Sequence, residues 1–395
     1  MHFLIIADAF PPMRTSCAVM LNALALELVR QKHSVCVAIP NASQIESIVI
    51  KEQDGIEIFS VKALQTKDVM YVRRVIAEFI NPFLMWSRLH SNSIFIMKKV
   101  DGVIWYSPTI FWGPLIKRLK SFFHCKSYLI LRDIFPDWAY DLGVLRSRVV
   151  YALLKKVSEY QYDQADHIGI QSPNNQAYFL KRYPHLSTRV EVLWNWVTQP
   201  KNIPCSIVLN KVEIGYRTVL VYAGNVGVAQ GISSFVALLK KLNNKDEYAF
   251  VFVGRGSEMH NLKLAAKQEK IPSVYFFEEI DPAEIAALYE QCDIGLLVLD
   301  PRHQTHNIPG KFISYIQSGL PTLALANPEN DLISLINDNK LGVAITSWDS
   351  LDLEHNLEKL KSIQNDPELY SRCKRAEEDM FSVRVAAKSI ANLFV

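Results

Sequence analysis

Short apolar runs alternate with stretches of helical periodicity along nearly the whole chain, and that alternation leaves few folds open. Phe3 to Ala7 is an unbroken apolar run, Val19 to Gln31 spaces its apolar residues as one face of a helix, and Ser34 to Ile39 is apolar again. Strand, helix and strand in that order predict parallel strands joined by helical crossovers. Gly102 to Tyr106, Ser127 to Arg132, His167 to Gln171 and Val190 to Trp194 continue the series. From Thr198 to Gly215 the periodicity lapses and Pro200 and Pro204 enter, which marks an interdomain linker. A second series then follows, with strands expected at Thr218 to Ala223, Ala249 to Gly254, Ser273 to Phe277, Ile294 to Leu299, Pro321 to Ala326 and Gly342 to Ile345.

A chain of 395 residues exceeds what one core usually organises. The expected fold is therefore α/β, with two Rossmann-like, doubly wound domains over 1–200 and 201–375. A last helix over 376–395, with apolar residues at Met380, Phe381, Val385, Ile390 and Leu393, is expected to pack back on the first domain. Ligands of such sheets sit beyond the carboxyl ends of the strands, so a central cleft faced by both domains is the expected site.

Composition excludes several classes. The six cysteines contain no Cys-x-x-Cys pair, which argues against a disulfide framework and a zinc knuckle and for reduced thiols in a cytosol. Met1 to Asp8 is a short apolar run without a basic flank and reads as a buried strand rather than a signal peptide. No segment reaches the roughly 18 apolar residues that span a bilayer. The charge is uneven: residues 1–198 carry 23 Lys and Arg against 16 Asp and Glu, and the remainder 20 against 24. Ten cations between Lys67 and Lys126, including Arg73, Arg74, Lys98 and Lys99, face only three carboxylates and are interleaved with Phe79, Phe83, Trp86, Phe95, Phe122 and Phe123. That make-up suits an anionic membrane surface; the plain alternative is solvated amphipathic helices whose aromatics are core. No motif for nucleic acid accompanies the charge.

Three loops carry candidate chemistry. The first strand ends in Asp8-Ala-Phe-Pro-Pro-Met-Arg-Thr-Ser16, not in a Gly-x-Gly-x-x-Gly loop, so a nicotinamide enzyme is not expected. Tyr222-Ala-Gly-Asn-Val-Gly227 runs from a strand into glycines and a helix, an arrangement that suits a diphosphate and equally an ordinary tight turn. Val253-Gly-Arg-Gly256 adds a guanidinium beside two glycines. In Thr305 to Thr322, a Pro-Gly turn places Lys311 at a helix start, where a cation opposes the helix dipole unless an anion is present. His303 and His306 without a carboxylate cluster do not make a metal site.

Taken together, Asp8 to Pro12, Arg132 to Gly143, Ala165 to Pro173, Asn195-Trp196, Tyr222 to Gly227 and Asn307 to Pro321 resemble the GT-B glycosyltransferases of family 4, near the WbuB-like transferases of bacterial O-antigen and capsule clusters. The resemblance covers nearly the whole chain. It implies a retaining, metal-independent enzyme without a cofactor, taking a UDP-sugar on its C-terminal domain and a polyprenyl-diphosphate-linked sugar on its N-terminal domain. An N-acetylated deoxyamino sugar such as L-FucNAc is the implied donor sugar, and the inner face of the inner membrane, from the cytoplasm, the implied place of work. Carried over by position, Lys311, Arg255 and Asp133 are the catalytic candidates. Gly224, Asn225, Gly227, Gly254, His306, Gly310 and Ser314 are the donor-binding candidates, and Thr15, Ser16 and Arg132 line the acceptor side.

The chain departs from the family pattern where it matters. The usual Glu-x7-Glu pair falls on His306 and Ser314, and a lysine that often holds the diphosphate falls on Gln230. A catalytically silent GT-B subunit is therefore one alternative. A nucleotide-sugar 2-epimerase is another, though it leaves the basic aromatic stretch without a purpose.

Overall fold

Neighbouring side chains of the first strand, β1 (His2–Ile6), enter two different cores. Leu4 and Ile6 pack with Met85, Leu115 and Leu119, whereas Phe3 and Ile5 pack with Leu21, Leu24 and Leu28. A strand covered on both faces must be apolar at every position, which is why Phe3 to Ala7 shows no polar alternation. Each fully buried side chain of this size contributes about 1.5–3 kcal/mol.

The structure, a computed structural model, describes all residues except 14, 68, 108, 198–202, 211–213, 216, 228–230, 243–246, 272, 301–306, 348–349 and 395, and the side chains of 232 and 350–352. The chain divides into two units, Met1–Thr198 with Val383–Val395, and Gln199–Ser382.

In the first unit β1 is followed by α1 (Ser16–Arg30), β2 (Ser34–Asn41), β3 (Ile48–Gln53), β4 (Ile56–Lys62), α2 (Tyr71–His90), α3 (Ser93–Ile96), β5 (Gly102–Ser107) and α4 (Gly113–Phe123). Then come β6 (Lys126–Leu131), α5 (Asp137–Asp141), α6 (Arg148–Asp163), β7 (His167–Ile170), α7 (Pro173–Arg182) and β8 (Val190–Val192). The sheet order is β3-β4-β2-β1-β5-β6-β7-β8, parallel except for the β3–β4 hairpin. The order reverses direction between β1 and β5.

The second unit holds β9 (Thr218–Ala223), α8 (Ile232–Leu242), β10 (Tyr248–Val253), α9 (Met259–Gln268), β11 (Val274–Phe277), α10 (Ile285–Tyr289) and β12 (Ile294–Val298). It continues with α11 (Gly310–Gln317), β13 (Thr322–Leu325), α12 (Leu332–Asp338), β14 (Gly342–Ile345), α13 (Ser350–Gln364) and α14 (Leu369–Ala376). Its sheet is parallel in the order β11-β10-β9-β12-β13-β14, reversing between β9 and β12. Helix α11 is pinned to both switch strands: the Tyr315 hydroxyl donates to the carbonyls of Val221 at 3.1 Å and Leu296 at 3.0 Å. A Cβ at Gly295 would stand 2.5 Å from the Tyr315 ring, so only glycine leaves room for it.

The single last helix expected over 376–395 is not what the chain forms. A π-turn at Glu377–Phe381 and an extended Ser382 separate α14 from α15 (Val383–Asn392). Phe381 is fully buried and faces the Phe312 ring at 6.0 Å, which ties the first part to the second unit. Beyond the break, Ala387 and Ile390 enter the first unit's core, and Phe394 meets Phe3 edge-on at 5.2 Å. The segment read as a linker also contributes packing, since Ile207, Leu209 and Ile214 are buried in the core of the second unit.

Candidate functional site

In an open parallel sheet, the crevice lies where strand order reverses. The second unit reverses at β9/β12, and Gly224, which leaves β9, adopts φ +129. Its N–H donates to the Val253 carbonyl at 2.8 Å, and the Val226 N–H donates to the Arg255 carbonyl at 2.8 Å. A Cβ on Gly254 would lie 2.3 Å from the Gly224 oxygen, and φ there is +133. The two glycine turns thus stack backbone on backbone, which no larger residue allows.

Over this double turn reaches Lys311, four residues before Tyr315 on α11 and so on the same helix face. A Cβ on Gly224 would stand 2.8 Å from Lys311 Cε. The Lys311 ammonium lies 4.6 Å from the centre of the Tyr222 ring. Among the described residues it has no hydrogen-bonding or ionic partner, and burial pushes its pKa down to about 8. A cation held against a ring at the first turn of a helix opposes the dipole, and an anion there would satisfy both.

Around Lys311 stand the other donor candidates. Asn225 is exposed, with its carbonyl accepting the Tyr222 hydroxyl at 2.8 Å, and Gly227 is buried. Gly310 opens α11 behind Pro309, which supplies no side-chain cap, and a Cβ there would meet nothing within 4 Å. Ser314 donates to the Gly310 carbonyl at 3.3 Å. Arg255 points away into a surface ion pair with Glu279 at 2.9 Å, 77% exposed. His306 and Gln230 lie outside the described residues.

The first unit reverses at β1/β5, and there three strand ends bring together side chains that sequence reasoning had mostly treated separately. Asp8 follows β1, Tyr106 is the last residue but one of β5, and Arg132 and Asp133 follow β6. Arg132 is structural: its guanidinium donates to the carbonyls of Leu193 at 2.9 Å and Trp194 at 3.3 Å and lies over the Trp196 ring, and its own carbonyl accepts from Gln171 at 2.6 Å. Asp133 next to it has no hydrogen-bond partner among the described residues, and burial lifts its pKa to about 6 against the pull of Arg132. Burial likewise raises Asp8, against the pull of Lys67, and its side chain accepts the Cys17 thiol at 3.8 Å. Both carboxylates in turn push the Cys17 thiol upward, after burial itself, so that it is no nucleophile. Thr15 caps α1, accepting from Ala18 N–H at 3.3 Å, and Ser16 is exposed beside it.

The other carboxylates of the Arg132 to Gly143 block serve the fold. Buried Asp137 accepts the hydroxyls of Tyr151 and Tyr183, each at 2.8 Å, and Asp141 takes the Tyr178 hydroxyl and Arg182.

A cavity of about 400 Å³ opens at the same switch point, lined by Asp8, Lys67, Arg74, Glu78, Thr109 and Trp112 among others. Asp8 and Lys67 were not singled out as ligands from sequence; a carboxylate just past β1 at a reversal of strand order was the available signal.

The basic aromatic stretch divides in two. Phe95 is fully buried, and Trp86 and Phe123 pack on the core. On α2 and just before it, Met70, Tyr71, Val72, Ile76 and Phe79 are each more than half exposed. Among the described residues no helix is long and apolar enough to cross a membrane.

The chain is similar to known proteins in sequence and in fold. Residues 210–380 match the family of glycosyl transferases group 1. The chain is 23% identical over 234 residues to the Probable glycosyltransferase WbjE of Pseudomonas aeruginosa, a match that takes in 58% of this chain and 57% of that relative's length. Sucrose-phosphate synthase from Thermosynechococcus elongatus superposes with a TM-score of 0.70 at 12% identity, over all of this chain and 98% of that one. HepE of Anabaena in complex with UDP-glucose gives 0.65 at 14% identity, over 99% and 98%. The chain has the two-domain GT-B fold, and its second unit is matched by the group 1 glycosyl transferases.

Proposed function

We propose that this protein is a glycosyltransferase that moves a sugar from a nucleoside diphosphate, UDP in the first instance, to a lipid-linked sugar in the synthesis of a bacterial surface polysaccharide. The observation that carries the proposal is Lys311, a cation without an anionic partner among the described residues, set over two glycine turns at the switch point of the second sheet. A departing diphosphate there gains charge as the glycosidic bond breaks, and Lys311 with the amides at the start of α11 stabilises it. That HepE was solved with UDP-glucose supports a UDP-sugar donor.

Within this reading, transfer proceeds with retention and without a metal, a donor phosphate oxygen taking the acceptor's proton on the face from which the diphosphate leaves. The sugar is an N-acetylated deoxyamino sugar such as L-FucNAc, and the acceptor a polyprenyl-diphosphate sugar. The exposed apolar start of α2, with Arg73 and Arg74, rests on the anionic inner face of the inner membrane. Ser314 and backbone groups take the ribose in place of the missing glutamate. Arg255 is a weaker candidate than Lys311, because its side chain lies 77% exposed at the surface beside Glu279.

The test is calorimetric titration of UDP, GDP and ADP without metal, repeated on Lys311→Ala. Selective UDP binding that the substitution weakens supports the reading. Absence of binding by all three nucleotides points to a silent GT-B subunit instead.

A further inference from the structure

Tyr222 touches both parts of the candidate donor site. It is the last residue but one of β9 and is 1% exposed. Its hydroxyl donates to the Asn225 carbonyl at 2.8 Å, which closes the first glycine turn, and the centre of its ring lies 4.6 Å from the Lys311 ammonium. The ring is itself held in place. Phe235 of α8 meets it edge-on at 5.0 Å, Phe252 of β10 lies tilted to it at 6.2 Å, and those two rings meet each other at 5.6 Å.

How a cation is held decides what it can still do. A carboxylate in place of the ring would grip Lys311 more tightly, but it would also cancel the charge and occupy the N–H groups. An aromatic ring attracts the ammonium and leaves all three N–H groups to an oxygen ligand. The Tyr222 hydroxyl proton goes to Asn225, and the lysine meets the ring. The lysine stem is confined as well, since a Cβ on Gly224 would stand 2.8 Å from Cε and 3.3 Å from Nζ. The ammonium is thus bounded by the glycine turn and by the ring that holds the turn.

We propose that Tyr222 is the positioning residue of this site: its ring sets the Lys311 ammonium against the glycine turn, and its hydroxyl sets the turn through Asn225. One side chain thereby fixes the distance between the cation and the backbone that faces it. That the pair receives a diphosphate rests on the glycosyltransferase reading; that Tyr222 holds the pair together does not.

The test is a double-mutant cycle with UDP as the probe, titrated calorimetrically into wild type, Tyr222→Phe and Tyr222→Leu, each with Lys311 intact and with Lys311→Met. Tyr222→Phe keeps the ring and loses the hydroxyl, so it should weaken UDP by about threefold in both backgrounds. Tyr222→Leu loses both and should weaken UDP by about thirtyfold while Lys311 is present. In the Lys311→Met background it should cost no more than Tyr222→Phe does. An equal loss from Tyr222→Leu in the two backgrounds would make the ring a support of the fold alone and overturn the proposal, as would unchanged UDP affinity in Tyr222→Phe. A second measurement needs neither ligand nor the leucine variant. In protein ¹³C-labelled at lysine Cε, the Lys311 signals, identified by their loss in Lys311→Met, should lie upfield of the other lysines because of the ring. Lys311 signals among those of the other lysines would overturn the proposal even if Tyr222→Leu fails to fold. Displaced signals in a chain that binds no UDP would uphold Tyr222 and overturn the donor reading instead.

Discussion

Lys311 stands 4.6 Å from the centre of the Tyr222 ring without an acidic partner among the described residues, and burial holds its pKa near 8 rather than its ordinary 10.5. A cation with a depressed folded pKa destabilises the free protein while it stays protonated. Between about pH 8 and 10.5 the unfolded chain binds the proton that the folded one has released, so stability rises with pH across that window. Denaturant midpoints of wild type should climb there, and those of Lys311→Met should not. Saturating UDP, by supplying the anion, should flatten the wild-type slope. A wild type as flat as the variant in free form would mean that Lys311 is neutralised by some other group.

The same charge should appear in turnover. If Lys311 stabilises the departing diphosphate, Lys311→Ala should lower kcat by about a hundredfold to a thousandfold while the melting temperature stays within a few degrees of wild type. Equal loss in Arg255→Ala is not expected, because that guanidinium lies exposed at the surface beside Glu279. Steady-state kinetics on both variants separate the two cations.

Gly254 and Gly310 were read alike from sequence, and the structure separates them. A Cβ on Gly254 would press 2.3 Å from the Gly224 oxygen at a φ of +133, whereas one on Gly310 meets nothing within 4 Å. Gly254→Ala should therefore cost about 1–3 kcal/mol or more in stability and weaken UDP binding as the double turn opens. Gly310→Ala should fold like wild type, and any loss it shows should be confined to donor affinity. Chemical denaturation beside nucleotide titration makes the comparison.

How much of this was legible beforehand depends on the range over which each signal acts. The strands and the two glycine turns are local: an apolar run and a strand-to-glycine step are written in consecutive residues, and β1 and β9 stand within a residue or two of expectation. The break at Ser382 was not legible, because the helical spacing from Ala376 to Phe394 persists across it. Phe381 and Ile390 belong to different cores, and only tertiary packing reveals that. The acidic block after β6 shows the same limit. Asp133, Asp137 and Asp141 look equivalent in sequence, yet two are bound by tyrosines 14 to 46 residues away and the third is left without a partner.

That difference predicts opposite phenotypes. Asp137→Asn leaves the Tyr151 and Tyr183 hydroxyls and Arg182 around a buried amide and should cost about 3–5 kcal/mol in stability. Asp133→Asn should be neutral or stabilising at pH 7: with a folded pKa raised to about 6, ionisation of Asp133 weakens the fold as pH rises from 3.8 through 6. In activity the order reverses. A carboxylate that accepts the acceptor hydroxyl gives wild type an acid limb near pH 6, and Asp133→Asn should lose that limb along with at least tenfold in kcat/KM for the acceptor. A variant with full activity and an unaltered pH profile would leave Asp133 as spacer between Arg132 and the β6 end.

The apolar residues at the start of α2 make a separate prediction about the membrane. Ile76 and Phe79 are 52% and 55% exposed on the same helix as Arg73, whereas Phe95, equally basic in its sequence neighbourhood, is fully buried. Each exposed side chain that enters a lipid interface contributes up to about 1.5–3 kcal/mol, and each nearby cation about 1 kcal/mol over anionic lipid. Ile76→Ser with Phe79→Ser should then weaken binding to phosphatidylglycerol vesicles by at least tenfold, in a way that added salt does not mimic. Arg73→Gln should instead remove part of the salt dependence and leave binding to concentrated vesicles intact. Because none of these three residues belongs to the second unit, UDP titrations should be unchanged in all three substitutions. Vesicle flotation across a salt series reads both effects, and wild-type flotation by the serine pair would mean that this face meets something other than a bilayer.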